Sequence, residues 1–267
     1  LFTLGACEED FNIGAPTSLT QAEIVAGLKN ALTVGTDTAT SQLSVTDGYW
    51  QDEAVKILLP DALNRSINQF KSRNINLGLI TVSGADLYDG FQNSALNLNI
   101  PNLQDQEDKI LLGLNRAAES AAKEAGPIFV GAISSMTIAD ASDVLFSESD
   151  TAATHFLRKT TFSSLHSTYE PKMDEALDQV QIDGKSVAQT YEDFVNQYNA
   201  VLNTSIAGQT IGQLWNINPI AVTNVSSFAT GKGLNGLFLK VSEEEEAIRK
   251  DPLARVNDIL KRVFGQL

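Results

Sequence analysis

Cysteine is all but missing. Cys7 is the only one in 267 residues, so no disulfide can form within the chain. Histidine is almost as scarce: His155 and His166 are the only two, eleven positions apart. An unbroken helix would align them, yet they would stand ~16 Å apart along its axis, too far to share one metal ion. Basic residues are few, 19 Lys and Arg against 33 Asp and Glu, for a formal net charge of −14. With no basic stripe to override it, that charge excludes nucleic acid as a partner and argues against a polybasic membrane patch. No run reaches the ~18 apolar residues that a bilayer span needs. No repeat has a fixed period, and no nucleophile-elbow spacing supports a Ser–His–Asp triad.

What is present reads as globular. Hydrophobic residues make up 43% and charged residues 19% of the chain. Helical spacing dominates. Thr20 or Ser18 can cap a helix from Gln21 whose stripe is Ile24, Leu28, Ala31, Leu32, Ala39 and Leu43. Gly27 and Gly35 lie on nearly one side of it, and close backbone packing explains glycine there. Further helices are expected over 61–73, over 105–125 until Gly126-Pro127 interrupts, from Pro171 and over 186–202. In the last third, Gly231, Gly233 and Gly236 interrupt the apolar faces, and Glu243–Glu246 reads as a solvated helix face. Lys232 between two glycines faintly suggests a phosphate loop, but its context and spacing are absent. Asp251-Pro252 is expected to open the last helix, with Leu253, Val256, Ile259, Leu260, Val263 and Phe264 inward. Val55–Leu59 could be a strand or an extended buried segment. Residues 74–102 read as a long loop or insertion, with a hairpin pairing Leu79–Val82 and Leu96–Ile100. The expected fold is mainly α: a single-domain multi-helix bundle over 19–267, of about eight to ten helices, with at most a short β element near Ile57.

The stretch from Gly131 to Arg158 concentrates the polar chemistry. Ile133, Met136, Ile138, Ala141, Val144 and Leu145 form an inward face. Asp140 and Asp143, three apart, are neighbours on a helix. Ser149 or Asp150 can cap the helix that restarts at Thr151. Asp140, Asp143, Asp150, Thr154, His155 and Arg158 are the candidate ligand-binding residues. Asp140, Asp143 and Asp150 could do acid–base work or hold a hard cation; the competing explanation is capping and buried hydrogen bonding at a helix junction. His166 and Glu170, four apart, could share a metal, but a helix-end histidine explains His166 as well. No metal site and no cofactor is indicated.

Two words in this stretch carry a resemblance: Met136-Thr-Ile-Ala-Asp-Ala141, and Asp150-Thr-Ala-Ala-Thr154 ending in Phe156 and Arg158. Others follow in order: Gly27-Leu-Lys-Asn-Ala-Leu32 with Gly35, Asp47-Gly48-Tyr49, Ile57-Leu-Leu-Pro60, Glu246-Ala-Ile-Arg-Lys-Asp-Pro252 and Val263-Phe-Gly265. Together they resemble the bacterial DUF4197 family over roughly 19–265, departing from it at 74–101 and at His155. The resemblance implies a fold and an envelope address, and no chemistry. Leu4-Gly5-Ala6-Cys7 resembles the end of a bacterial lipoprotein signal, whose cysteine becomes a lipid-bearing N-terminus. The charged start and most of the apolar core of such a signal do not precede it, so a trimmed chain is expected. Glu8, Glu9 and Asp10 read as a solvated tether or a surface-export signal. The expectation is a cell-envelope protein, on the periplasmic face or the cell surface. It would be held to the membrane through a lipid on Cys7 and bind an envelope protein or a small apolar ligand. The alternative is a hydrolase-like or metal-dependent enzyme with a carboxylate site near Asp140–Thr154.

Overall fold

A computed structural model describes residues 18–76, 81–94, 98–206, 208–221 and 224–267. Four long helices make the core: α1 (Gln21–Leu43), α4 (Leu103–Ser135), α6 (Ala152–Gln179) and α9 (Val225–Lys250). They pack in a cycle, α1 on α9, α9 on α6, α6 on α4 and α4 on α1. Shorter helices cover the flanks: α2 (Asp61–Lys71), α3 (Gly84–Tyr88), α5 (Ala141–Leu145), α7 (Val187–Leu202), α8 (Ile211–Trp215) and α10 (Asp258–Phe264). One apolar cluster runs from Ile24 to Phe264 through all of them. The fold is therefore a mainly α single domain. No described helix is long and apolar enough to cross a membrane.

Local chemistry explains most boundaries. The Thr20 hydroxyl accepts from the Glu23 amide, and the Glu23 carboxylate accepts from the Thr20 amide, a complete capping box. All six residues of the expected α1 stripe are buried. Gly27 and Gly35 mark close approach: a Cβ on Gly27 would stand 2.6–2.8 Å from Val263 of α10, and one on Gly35 3.2 Å from the Val241 carbonyl oxygen of α9. The Arg262 guanidinium donates to Glu23 at 2.7 Å, and this bond, chiefly, pulls the Glu23 carboxyl down to about 2.

The 47–60 segment has no strand. Turns occupy 47–50 and 53–55, and 56–60 has no regular structure, with Val55, Ile57 and Leu59 buried and Leu58 exposed. Polar side chains of α4 pin it. The Asn115 Oδ1 accepts from the Ile57 amide at 2.8 Å, and its Nδ2 donates to the Ile57 carbonyl at 2.9 Å. Buried Glu119 accepts from the Tyr49 and Trp50 amides, both at 3.2 Å. The Tyr49 ring then lies on α9, where its hydroxyl donates to the Gly233 carbonyl at 2.8 Å and a Cβ on Gly236 would meet it at 2.7 Å. Burial pushes the Tyr49 phenol far up, so it stays a donor.

Several expectations need correction. Gly126-Pro127 does not interrupt α4, and Pro171 lies inside α6 rather than starting a helix. Each proline and the residue four before it, Lys123 or Ser167, is exposed, so water can satisfy the carbonyl that loses its partner. Gly231, Gly233 and Gly236 sit within α9, which also removes the phosphate-loop suggestion at Lys232. Pro252 opens a 3-10 turn (Pro252–Ala254), and α10 begins only at Asp258 under an Asn257 cap. Leu253 and Val256 are accordingly 89% and 64% exposed, outside the buried stripe. Met136–Asp140 leaves helical geometry, although Met136 and Ile138 are buried as expected.

The 74–102 segment is not one loop. β1 (Asn74–Asn76) pairs antiparallel with β2 (Thr81–Ser83), with Asn74 opposite Ser83. β3 (Phe91–Asn93) pairs with β4 (Leu98–Ile100), with Phe91 opposite Ile100. Each strand finds its sequence neighbour, the pairing with the lower loop-closure cost, rather than the longer pairing expected. Two minimal hairpins, β5 (Gln181–Ile182) with β6 (Lys185–Ser186) and β7 (Ser205–Ile206) with β8 (Gln209–Thr210), lead into α7 and α8.

The α1–α10 contact predicts a clear overpacking effect. Gly27→Ala should destabilise by about 1–3 kcal/mol in urea unfolding, because Val263 is fully buried and cannot yield. On a Val263→Ala background, the same change should cost much less.

Candidate functional site

The central stretch is organised by a residue far away in sequence. Glu245 of α9 is fully buried. Its carboxylate accepts from the Ala153 amide at 3.0 Å, the Thr154 amide at 2.6 Å and the Thr154 hydroxyl at 2.7 Å. Glu245 thus caps α6 from outside: Thr151, at the cap position, makes no side-chain cap bond. The expectation that Ser149 or Asp150 caps this helix is corrected. The Ser149 hydroxyl meets the amide and the hydroxyl of Thr151, each at 3.4 Å, and Asp150 pairs with Lys250 at 2.7 Å.

Arg249, one turn on, completes the node. Its Nε donates to Glu245 at 2.9 Å, and its Nη1 and Nη2 donate to the Leu145 and Val144 carbonyls at 2.7 and 3.1 Å. Positive charge meets the C-terminal carbonyls of α5, and negative charge meets the first amides of α6, each the favourable sign for that helix end. One ion pair fixes the break and restart between α5 and α6. Glu245 is therefore no part of a solvated face, unlike exposed Glu243 and Glu246. The signal was readable: the stripe Leu234, Leu237, Phe238, Val241, Ile248 passes through position 245.

Beside this node lies a cleft of about 250 Å³ between the first two turns of α6 and the middle of α9. Thr151, Thr154, His155 and Arg158 line one wall, and Asn235, Leu239 and Ser242 the other. Three of the six nominated residues thus come together there: Thr154, His155 and Arg158. Asp140 and Asp143 do not; both are exposed, at the cap and within α5. Asp150, held by Lys250, does not line it either. Asn235, Leu239 and Ser242 were not anticipated; their spacing places them on one face of α9, but nothing in the sequence says that Arg158 faces it.

Arg158 is held in a defined pose. Its Nη2 donates to Asn235 Oδ1 at 2.6 Å, and its guanidinium lies 4.8 Å from the Phe162 ring centroid and 5.3 Å from that of Phe238. Thr154 is buried, its hydroxyl committed to Glu245. The exposed His155 ring has no hydrogen-bond partner among the described residues. His166 lies further along α6, its Nε2 3.1 Å from the Ser227 carbonyl oxygen and its Nδ1 3.6 Å from Glu170. No group of three or more potential metal ligands converges among the described residues. Cys7 lies outside them.

Breaking the node leaves a buried guanidinium without its carboxylate and two α6 amides without an acceptor. Glu245→Ala should cost about 3–5 kcal/mol. In hydrogen exchange, the Ala153 and Thr154 amides should lose protection before the rest of α6.

No curated protein and no solved structure matches the chain. A family model does, over residues 18–78 and 87–265, leaving a gap that falls inside the two-hairpin segment and is shorter than the departure the sequence suggested. That model covers the node and the cleft alike, and the chain belongs to the DUF4197 family, described as proteins of unknown function.

Proposed function

We propose that this protein is a lipid-anchored binding protein of the bacterial cell envelope, and that the cleft between α6 and α9 holds its ligand. One observation carries the reading. Arg158 is posed by Asn235 and two aromatic rings at the edge of a cleft, beside the free ring of His155. Buried side chains fixed by packing and second contacts are what a binding site requires, and the Glu245 node supplies them here. The cleft, at about 250 Å³, is smaller than a drug-sized pocket, so it suits a small molecule or a head group. The enzyme alternative gains no support from its aspartates: Asp140, at the cap of α5, and Asp143, within it, are exposed, and Asp150 is paired with Lys250. The anchor rests on Leu4-Gly5-Ala6-Cys7 alone.

Two measurements check the two halves. In its full-length precursor, Cys7→Ser should move the protein from the membrane to the soluble fraction; continued sedimentation with membranes contradicts the anchor. Native mass spectrometry of protein purified from its host's envelope should show a persistent adduct, lost in Arg158→Ala. A clean apoprotein mass, or an adduct indifferent to Arg158, would overturn the cleft reading.

A further inference from the structure

We infer that the α6/α9 cleft recognises an oxyanion, a carboxylate or phosphate group, with the Arg158 guanidinium as its principal donor. This deepens the proposed binding reading and rests on it for the identity of the site. Arg158 donates one hydrogen bond to protein, to Asn235, and has no carboxylate partner among the described residues. A guanidinium carries five N–H donors in a planar fork, so most of this one's capacity is unused. Other bases also lack a carboxylate among the described residues, Arg65, Arg73 and Arg255 among them; Arg158 differs in facing a cleft in a fixed pose.

Of the acids nearest in sequence to the cleft residues, Glu148 and Glu244 pair with no base among the described residues but do not line the cleft, and the others are already matched. Asp150 and Glu246 bind Lys250, at 2.7 and 2.6 Å. Glu243 binds Lys240 at 3.0 Å. Glu245 is buried and spent on α6 and Arg249. The cleft lining therefore holds an arginine, a histidine and an amide, with no acid among its seven residues.

The donors also converge. His155 and Arg158, three apart on α6, are neighbours. Asn235 accepts from Arg158 through its Oδ1, and its Nδ2 has no partner among the described residues. Phe162 and Phe238 back the guanidinium and keep its plane fixed, so little side-chain entropy is lost when an anion docks. Bidentate pairing of arginine with carboxylate or phosphate is strong and directional. Leu239 is the only aliphatic side chain of the lining.

The test is titration of the full chain with two probes, inorganic phosphate and acetate, followed by amide chemical shifts. Saturable shifts are expected at 154–158 and 235–242 with at least one probe, and the stronger probe names the ligand's group. Arg158→Gln should weaken that binding about tenfold or more, the loss of a charge-assisted pair. Arg158→Lys should fold as the parent does and keep part of the affinity, since it retains the charge without the fork. Shifts confined to lysines elsewhere, no saturation by either probe, or Arg158→Gln binding as the parent does would each overturn the inference. A host-derived adduct that occupies the cleft but carries no acidic group would also overturn it, while leaving the cleft's role as a binding site intact. An adduct located elsewhere, with phosphate still binding at Arg158, would instead count against the binding reading alone.

Discussion

A carboxylate with no exposure to water has to be matched on every side, and Glu245 is matched by two amides, a hydroxyl and a guanidinium. Removing such a charge from water costs several kcal/mol before any partner is counted. The partners come from α6 and α9, and through Arg249 the arrangement extends to α5. None of these elements can shift alone without stranding a buried polar group. The break at Phe146–Thr151 is thus fixed in shape by a helix nearly a hundred residues later.

A second set of buried polar contacts works the same way on the other side of the core. Asn115 and Glu119 of α4 hold the 47–60 segment, and Tyr49 carries that hold across to α9. Small residues let the layers come this close: Gly27 under Val263, Gly236 under Tyr49. The cleft between α6 and α9 is therefore bounded by helices whose positions are over-determined. Arg158 there is posed by Asn235 and aromatic rings, with no carboxylate beside it.

Periodicity made the long helices and their inward faces legible, since burial of an apolar stripe is a local pattern. The α1 stripe and its cap at Thr20, and the helices expected over 61–73 and 186–202, are as read to within two residues. The errors have a common origin in rules applied without tertiary context. Pro127 and Pro171 read as breaks, but their costs fall on exposed carbonyls within well-packed helices. Glu245 read as solvated because its neighbours Glu243 and Glu246 are. Its role depends on an unpaired helix start elsewhere, which no local pattern reports. Half of the nominated residues meet at the cleft, because proximity along α6 is local. The opposing wall of Asn235, Leu239 and Ser242 is a matter of helix pairing, and the aspartates of α5 follow a different surface.

The most direct test of the node is a double-mutant cycle in urea between Glu245→Ala and Arg249→Ala. If both side chains serve one buried unit, the double variant should be destabilised by much less than the sum of the singles, with a coupling in the upper part of the about 0.5–3 kcal/mol range of contacting pairs. Additivity to within about 0.5 kcal/mol would mean that the two act independently. The account of how the α5–α6 junction and its cleft are held would then be contradicted.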